Sequence, residues 1–198
     1  MGLAYELRVL PFPPRALAKE IFAVNPLGTI PAFLDGDTVM TESAAICEYL
    51  VTKYGPTPLA VRVDEPDYGA FLNALHFGEA TLTFPQTLVL RYSRLEFPER
   101  RSPQVAEDYT RWFHGRMRAV DARLAAHAYM GADRFTAADI SVGYAFLLAH
   151  DIGIADAFSP AVRDYWARLT ARAGFKRAMA AQDRESAILG IGSSIPSA

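Results

Sequence analysis

Cysteine is the residue that this sequence has least of, since Cys47 is the only one among 198 residues. An intramolecular disulfide is therefore excluded, and a reducing compartment, the cytoplasm, is the expected location. Histidine is also scarce, with four residues in the chain, and their positions match no spacing typical of metal ligands. The sequence predicts no metal site.

The chain also lacks an excess of charge of either sign and any long apolar run. Twenty Lys and Arg residues face 22 Asp and Glu residues, which leaves a formal net charge of -2 and gives no reason to expect a nucleic acid or an anionic membrane as partner. No apolar run approaches the roughly 20 residues that a membrane-spanning helix needs. Hydrophobic residues still make up 51% of the chain, enough for a sizeable core.

The apolar spacing divides the chain into a mixed α/β part and an all-helical part. Residues 1–55 form the first part, a Pro-rich linker covers residues 56–66, and residues 67–198 form the second part. In the first part we predict a strand at 4–10, a helix at 14–25, a hairpin at 31–35 and 38–41, and a helix at 42–54. In the second part Pro85 is expected to kink or break a long helix, and the tail after Gln182 is expected to be loose.

The stretch from Asn25 to Ile46, "NPLGTIPAFLDGDTVMTESAAI", carries the most chemical information. Ile30-Pro31 stands at the start of an apparent strand, where a proline is tolerated. If the backbone N–H and C=O of Ile30 are exposed there, they can pair with an extended peptide, strand to strand.

The segment "TESAAI" begins a helix, and the N-terminus of a helix attracts carboxylates because its first N–H groups are unpaired. The Ser43 hydroxyl can add a hydrogen bond to such a carboxylate, and the Glu42 carboxylate can hold an ammonium group nearby. Together they can recognise the amine and carboxylate of an α-amino acid. The same residues can instead do no more than cap the helix, and the residues alone leave both interpretations open.

The stretch "NPLGTIPAFLDGDTVMTESAAICEYL" strongly resembles the glutathione-binding half of cytosolic glutathione transferases, with Asn-Pro, Ile-Pro, a hairpin and Glu-Ser-x-x-Ile in that order. The later segments "LHFGEATLTFP" and "FTAADISVGYAF" are similar to the helical half of bacterial members. The second of these contains a Thr-x-x-Asp capping box at Thr136 and Asp139. The resemblance extends to about Gln182.

This resemblance implies a thioredoxin-like α/β domain, an all-α helical domain, and a homodimer that uses glutathione as co-substrate. By position, Ile30 would pair its backbone with the cysteinyl part of glutathione, and Pro31 would be a cis proline. Glu42 and Ser43 would hold the γ-glutamyl amine and carboxylate. His76 and Phe77 would line the pocket for a small hydrophobic electrophile, with helix packing as the alternative role.

The implied reaction is conjugation of the glutathione thiol to that electrophile. Isomerisation, thiol-disulfide reduction and a non-catalytic binding or scaffold role remain alternatives, because the resemblance assigns no catalytic residue in this chain. The family's first strand and first helix, which carry the activating Tyr, Ser or Cys, find no match before residues 4–10. We therefore expect an N-terminally truncated first domain with weak or absent conjugation activity. Cys47, in a helix interior, is expected to be a buried structural thiol.

Overall fold

A computed structural model describes residues 1–190 of the chain, and these residues belong to two compact units. The N-terminal unit comprises Met1–Thr57 together with the C-terminal segment from Ala173, and the helical unit comprises Pro58–Arg172. The N-terminal unit contains α1 (Pro14–Leu17), β1 (Phe33–Asp35), β2 (Thr38–Met40), α2 (Ser43–Lys53) and α8 (Ala173–Ile188). The helical unit contains α3 (Tyr68–Phe77), α4 (Phe84–Leu90), α5 (Pro103–Leu124), α6 (Ala137–Ile152) and α7 (Pro160–Ala171).

The hairpin and the helix that follows it match the prediction. β1 and β2 are antiparallel, and Gly36 in the turn between them has a φ of 59°, which favours glycine because it has no Cβ. The predicted helix at 14–25 is interrupted at Ala18, whose φ of -140° is not helical. It consists of α1 and a separate 3₁₀ turn at Lys19–Ala23.

The predicted strand at residues 4–10 is wrong. These residues form no strand, and Tyr5 is 73% exposed. The apolar and β-prone composition of the segment is the signal that predicted a strand, but a strand exists only when a neighbour pairs with its backbone. Within residues 1–190 the sheet has two strands, β1 and β2, and they pair with each other.

The helical unit is built around α6, as its nearly continuous apolar sequence predicts. Val142, Ala145 and Phe146 are fully buried, and the Phe146 ring lies 5.2 Å from that of Phe158 and 5.9 Å from that of Tyr165, measured between centroids. Each large side chain of this kind contributes roughly 1.5–3 kcal/mol when it is removed from water. The capping box that begins α6 at Thr136 and Asp139 is confirmed.

The long helix around Pro85 accommodates its proline through a wide turn. Residues Gly78–Thr83 form a π-helical turn between α3 and α4, and the Thr83 hydroxyl donates a hydrogen bond to the Gly78 carbonyl at 2.9 Å. Pro85, in the first turn of α4, has no N–H to donate. The expected interruption is therefore a change of helix type just before the proline.

The boundaries of the units differ from the predicted domains at two places. Residues 58–66, predicted as part of a linker, belong to the helical unit, where Arg134 donates to the Ala60 carbonyl at 2.8 Å and pairs with Glu65 at 2.8 Å. α8 belongs to the N-terminal unit and continues to Ile188, so the chain just after Gln182 is helical and not loose. The rest of the predicted loose tail, residues 191–198, lies outside the described residues.

None of the helices in the described part of the chain combines the length and the apolar character needed to cross a membrane.

Candidate binding site

The hairpin brings the two halves of the predicted site to the same end of the sheet. In the β1–β2 ladder, Phe33 pairs with Met40 and Asp35 with Thr38. Pro31 stands two residues before Phe33, and Glu42 stands two residues after Met40. The chain therefore enters and leaves the hairpin at its open end, and the Ile30-Pro31 step and the start of α2 both lie there.

The Ile30-Pro31 step presents backbone to solvent. Its peptide bond is cis, as the resemblance implies, and Ile30 is 48% exposed. Within residues 1–190, neither the N–H nor the C=O of Ile30 has a hydrogen-bond partner. Strand-to-strand recognition of a peptide requires a backbone N–H and C=O without internal partners, and Ile30 has both on an exposed residue.

The start of α2 offers the features needed to hold a charged headgroup. Glu42 is the N-cap residue, its carbonyl accepts the Ile46 N–H at 2.9 Å, and its side chain makes no capping hydrogen bond. The Glu42 carboxylate is exposed, and Ser43 begins the helix in a half-buried position. Since Glu42 does not cap the helix with its side chain, that carboxylate is available to an ammonium group. The positive N-terminal end of the helix favours instead the carboxylate of the same headgroup.

Asp35, which sequence reasoning missed, ties the hairpin to the last turn of α2. Its Oδ2 accepts hydrogen bonds from Lys53 Nζ at 2.8 Å, Tyr54 Oη at 2.7 Å and Tyr49 Oη at 2.8 Å. These bonds, that of Lys53 first, lower the pKa of Asp35 from 3.8 to about 2. The bond with Asp35 likewise raises the pKa of Lys53. The one sequence signal was the spacing of Tyr49 and Lys53, which places them on one face of the helix.

Cys47 lies on α2 in a half-buried position. Burial raises the pKa of its thiol, so the thiolate that a nucleophile or redox centre needs is disfavoured. Over residues 1–190, no group of three or more His, Cys, Asp and Glu side chains is placed to hold a metal ion.

His76 and Phe77, the predicted pocket residues, both line an open surface cavity of about 470 Å³ in the helical unit. Its other lining residues come from α3 and the π-helical turn: Leu72, Asn73, Ala80 and Thr81. The cavity combines apolar walls with the polar groups of Asn73, His76 and Thr81. The depression is open to solvent and mainly apolar, with a few polar groups at its wall.

Comparison with known proteins identifies similar sequences. Residues 1–53 match the sequence model of a family described as "Glutathione S-transferase, N-terminal domain". The chain is 27% identical over 172 residues to glutathione S-transferase 3 of Zea mays. The alignment covers 82% of this chain and 75% of the maize protein.

Comparison with solved structures gives the same picture. The apo form of glutathione S-transferase III matches with a TM-score of 0.68 and 25% identity over 81% of this chain and 76% of the other. Ure2p5 of Phanerochaete chrysosporium, cocrystallized with 1-(S-glutathionyl)-2,4-dinitrobenzene, matches with a TM-score of 0.75 and 23% identity over 88% of this chain and 82% of the other. The fold is that of these proteins, a thioredoxin-like domain followed by an all-helical domain.

Proposed function

Because the chain belongs to the cytosolic glutathione transferase family, we propose that it binds glutathione in its N-terminal unit and conjugates the glutathione thiol to a small hydrophobic electrophile. In such a step the thiolate sulfur forms a bond to an electrophilic carbon, the thiol proton goes to solvent, and the leaving group departs with its bonding electrons. Conjugation of this kind serves detoxification.

The observation that carries the proposal is the position of the two halves of the site at the open end of the hairpin. The exposed Ile30 backbone pairs with the cysteinyl part of the tripeptide, beside Pro31. The start of α2 holds the γ-glutamyl carboxylate with help from the Ser43 hydroxyl, while the Glu42 carboxylate holds the γ-glutamyl amine. Both ends of a γ-glutamylcysteinyl unit would thus be bound by one turn, one hairpin and the start of one helix.

The cavity lined by His76 and Phe77 is the site that we propose for the electrophile. The Phe77 ring and the Leu72 side chain favour an apolar or aromatic body, and the neighbouring polar groups suit a substituent that accepts hydrogen bonds. Glu42 and Ser43 bind the γ-glutamyl end of glutathione and not its sulfur, so the proposal leaves the group that lowers the pKa of the thiol unassigned.

We further propose that the protein acts in the cytoplasm as a homodimer. The single cysteine fits a reducing compartment, and the family resemblance favours a dimer. Light scattering coupled to size-exclusion chromatography tests the dimer directly, because a mass near 21.8 kDa rather than twice that value would contradict it.

Isothermal titration calorimetry with glutathione tests the binding site. Replacing Glu42 with Gln removes the charge that holds the ammonium group, and we expect the dissociation constant to rise roughly 10-fold or more, since a hydrogen bond between charged groups is worth about 1.5–3 kcal/mol. Glu48→Gln, on the same helix, is the matched control and should change it less than about 2-fold. Equal affinities of the native chain and Glu42→Gln would contradict the headgroup assignment.

A turnover assay then separates catalysis from binding. Formation of 1-(S-glutathionyl)-2,4-dinitrobenzene from glutathione and 1-chloro-2,4-dinitrobenzene is followed by absorbance. Binding together with turnover supports a transferase. Binding without turnover supports the alternative of a non-catalytic glutathione-binding protein, and the absence of both refutes the proposed function.

A further inference from the structure

Asn25 is a buried polar residue whose hydrogen bonds all serve the turn that precedes the Ile30-Pro31 step. Asn25 lies five positions before Ile30, and the residue is only 1% exposed. Its Nδ2 donates to the carbonyl of Thr29 at 2.8 Å and to the hydroxyl of the same residue at 2.9 Å. Its Oδ1 accepts the Leu27 N–H at 3.0 Å. The Asn25 amide is thus used entirely within this turn.

The backbone of the same turn is held equally firmly. The Asn25 N–H donates to the Ile21 carbonyl at 2.8 Å, and the Asn25 carbonyl accepts the Gly28 N–H at 2.9 Å. Gly28 has a φ of 62°, and a Cβ at this position would come within 2.7 Å of the Phe22 ring. The turn therefore has one tightly packed conformation, which requires glycine at position 28.

The bond from Asn25 to the Thr29 carbonyl has a consequence for Ile30. The Thr29 C=O and the Ile30 N–H belong to one planar peptide group, and in a trans peptide these two groups point in opposite directions. The cis bonds within the described chain do not include the one between Thr29 and Ile30. By holding the Thr29 oxygen toward the buried side of the turn, Asn25 directs the Ile30 N–H away from it, on a residue that is 48% exposed.

We propose that Asn25 is a positioning residue that aims the Ile30 N–H at a peptide carbonyl of the bound tripeptide. The inference rests on the proposed function, because the carbonyl belongs to glutathione. Asn25 itself lies under the turn and acts through the Thr29–Ile30 peptide. Fixing that donor before the ligand arrives removes the entropic cost of ordering it on binding.

The test compares Asn25→Ala with Thr29→Val. The alanine variant loses both hydrogen bonds that Asn25 donates to Thr29. We expect glutathione affinity to fall roughly 10-fold, which corresponds to losing one ordinary hydrogen bond from the Ile30 N–H to the ligand together with the fixed orientation of that N–H. Thr29→Val removes the hydroxyl but keeps the carbonyl that Asn25 holds, so its affinity should stay within about 2- to 3-fold of native. Equal losses in the two variants would overturn the proposal.

A spectroscopic readout separates positioning from a purely structural role. In ¹H–¹⁵N spectra, saturation with glutathione should move the Ile30 amide proton downfield in the native chain and in Thr29→Val, and markedly less in Asn25→Ala. Asn25→Asp has the same shape as the native side chain, keeps the acceptor for Leu27 and loses the donors. If Asn25→Ala does not fold, Asn25→Asp takes its place in the test, and the same reduced shift of the Ile30 amide proton is expected. Failure of both variants to fold, or an Ile30 signal that glutathione does not move in the native chain, would overturn the proposal.

The proposed function and the proposed role of Asn25 can be refuted separately. A native chain that does not bind glutathione refutes the proposed function, and the inference falls with it. A native chain that binds glutathione, together with Asn25 variants that bind it equally well, refutes the role of Asn25 alone.

Discussion

Asp139 is a buried polar residue whose replacement should strongly destabilise the helical unit. It is 1% exposed and joins three segments of that unit. One carboxylate oxygen accepts the Thr136 N–H at 2.8 Å, and the other accepts the Met130 N–H at 2.8 Å and the Tyr165 hydroxyl at 2.6 Å. Met130 and Tyr165 are themselves buried. Asp139→Ala would leave these donors without an acceptor, away from water.

The size of the effect follows from that set of donors. A buried donor without an acceptor costs about 1–3 kcal/mol, and a lost helix cap costs about 1 kcal/mol. Water entering the small cavity and relaxation of the loop before α6 recover part of this sum, so we expect Asp139→Ala to lower the free energy of unfolding by about 4 kcal/mol. Tyr165→Phe removes only one of the donors and should cost about 1–2 kcal/mol.

Urea unfolding followed by tryptophan fluorescence measures this loss. The two tryptophans of the chain, Trp112 and Trp166, both lie in the helical unit, so the signal reports on that unit even if the N-terminal unit unfolds separately. With a denaturant dependence of about 2 kcal/mol/M, the midpoint should fall by roughly 2 M for Asp139→Ala. A loss below about 1 kcal/mol, or an equal loss in Tyr165→Phe, would refute the reasoning.

Three further predictions concern packing, pH and the thiol. Gly78→Ala should destabilise the helical unit by about 1–3 kcal/mol, because the new Cβ would lie 2.6 Å from the Ser141 backbone. Gly69→Ala is the control and should stabilise the unit slightly, because a Cβ there would have nothing within 4 Å. The urea unfolding midpoints of the two variants are compared. Folding lowers the pKa of Asp35 from 3.8 to about 2, so its stabilising contribution is present above about pH 4 and is lost as the pH falls through about 2. The difference in melting temperature between the native chain and Asp35→Asn should therefore shrink over that range, and a constant difference would contradict it. Cys47, whose thiol has a raised pKa, should react with Ellman's reagent at pH 7 at least roughly 10-fold more slowly in the folded chain than in urea, and equal rates would show that it is not protected.

The sequence predicted the elements whose signals are local. "GD" between two apolar runs predicted the hairpin, and the Thr136–Asp139 spacing predicted the start of α6, because turn chemistry and capping depend on residues a few positions apart. The strand at 4–10 was wrong because pairing depends on a partner that composition does not reveal. The grouping of α8 with the N-terminal unit likewise depends on tertiary contacts that helical spacing does not determine.

The candidate site was predictable in part for the same reason. Ile30, Pro31, Glu42 and Ser43 stand in a recognisable pattern, and the hairpin register brings the two ends of that pattern to the same end of the sheet, as the proposed site requires. Asp35 was missed because its partners follow 14 to 19 residues later. Asn25 was noted as the end of a helix and as part of the Asn-Pro step of the pattern, but nothing in its sequence neighbourhood shows that its amide is buried and bonded to Thr29.

The distribution of roles along residues 25–46 explains how one short stretch can form a binding site. In the proposed site the peptide-binding edge is backbone, so its geometry would depend on the residues that hold the turn, Asn25 and Gly28, which are buried or conformationally constrained. The proposed headgroup contacts of Glu42 and Ser43 would depend on the direction of α2, and the bonds of Asp35 to the end of that helix join it to the hairpin. We therefore expect the precision of binding to be set by residues that need not touch the ligand, while thiol activation needs a group beside the sulfur. In the proposed site the residues that bind glutathione are separate from the group that would activate its thiol, so affinity and turnover must be measured independently.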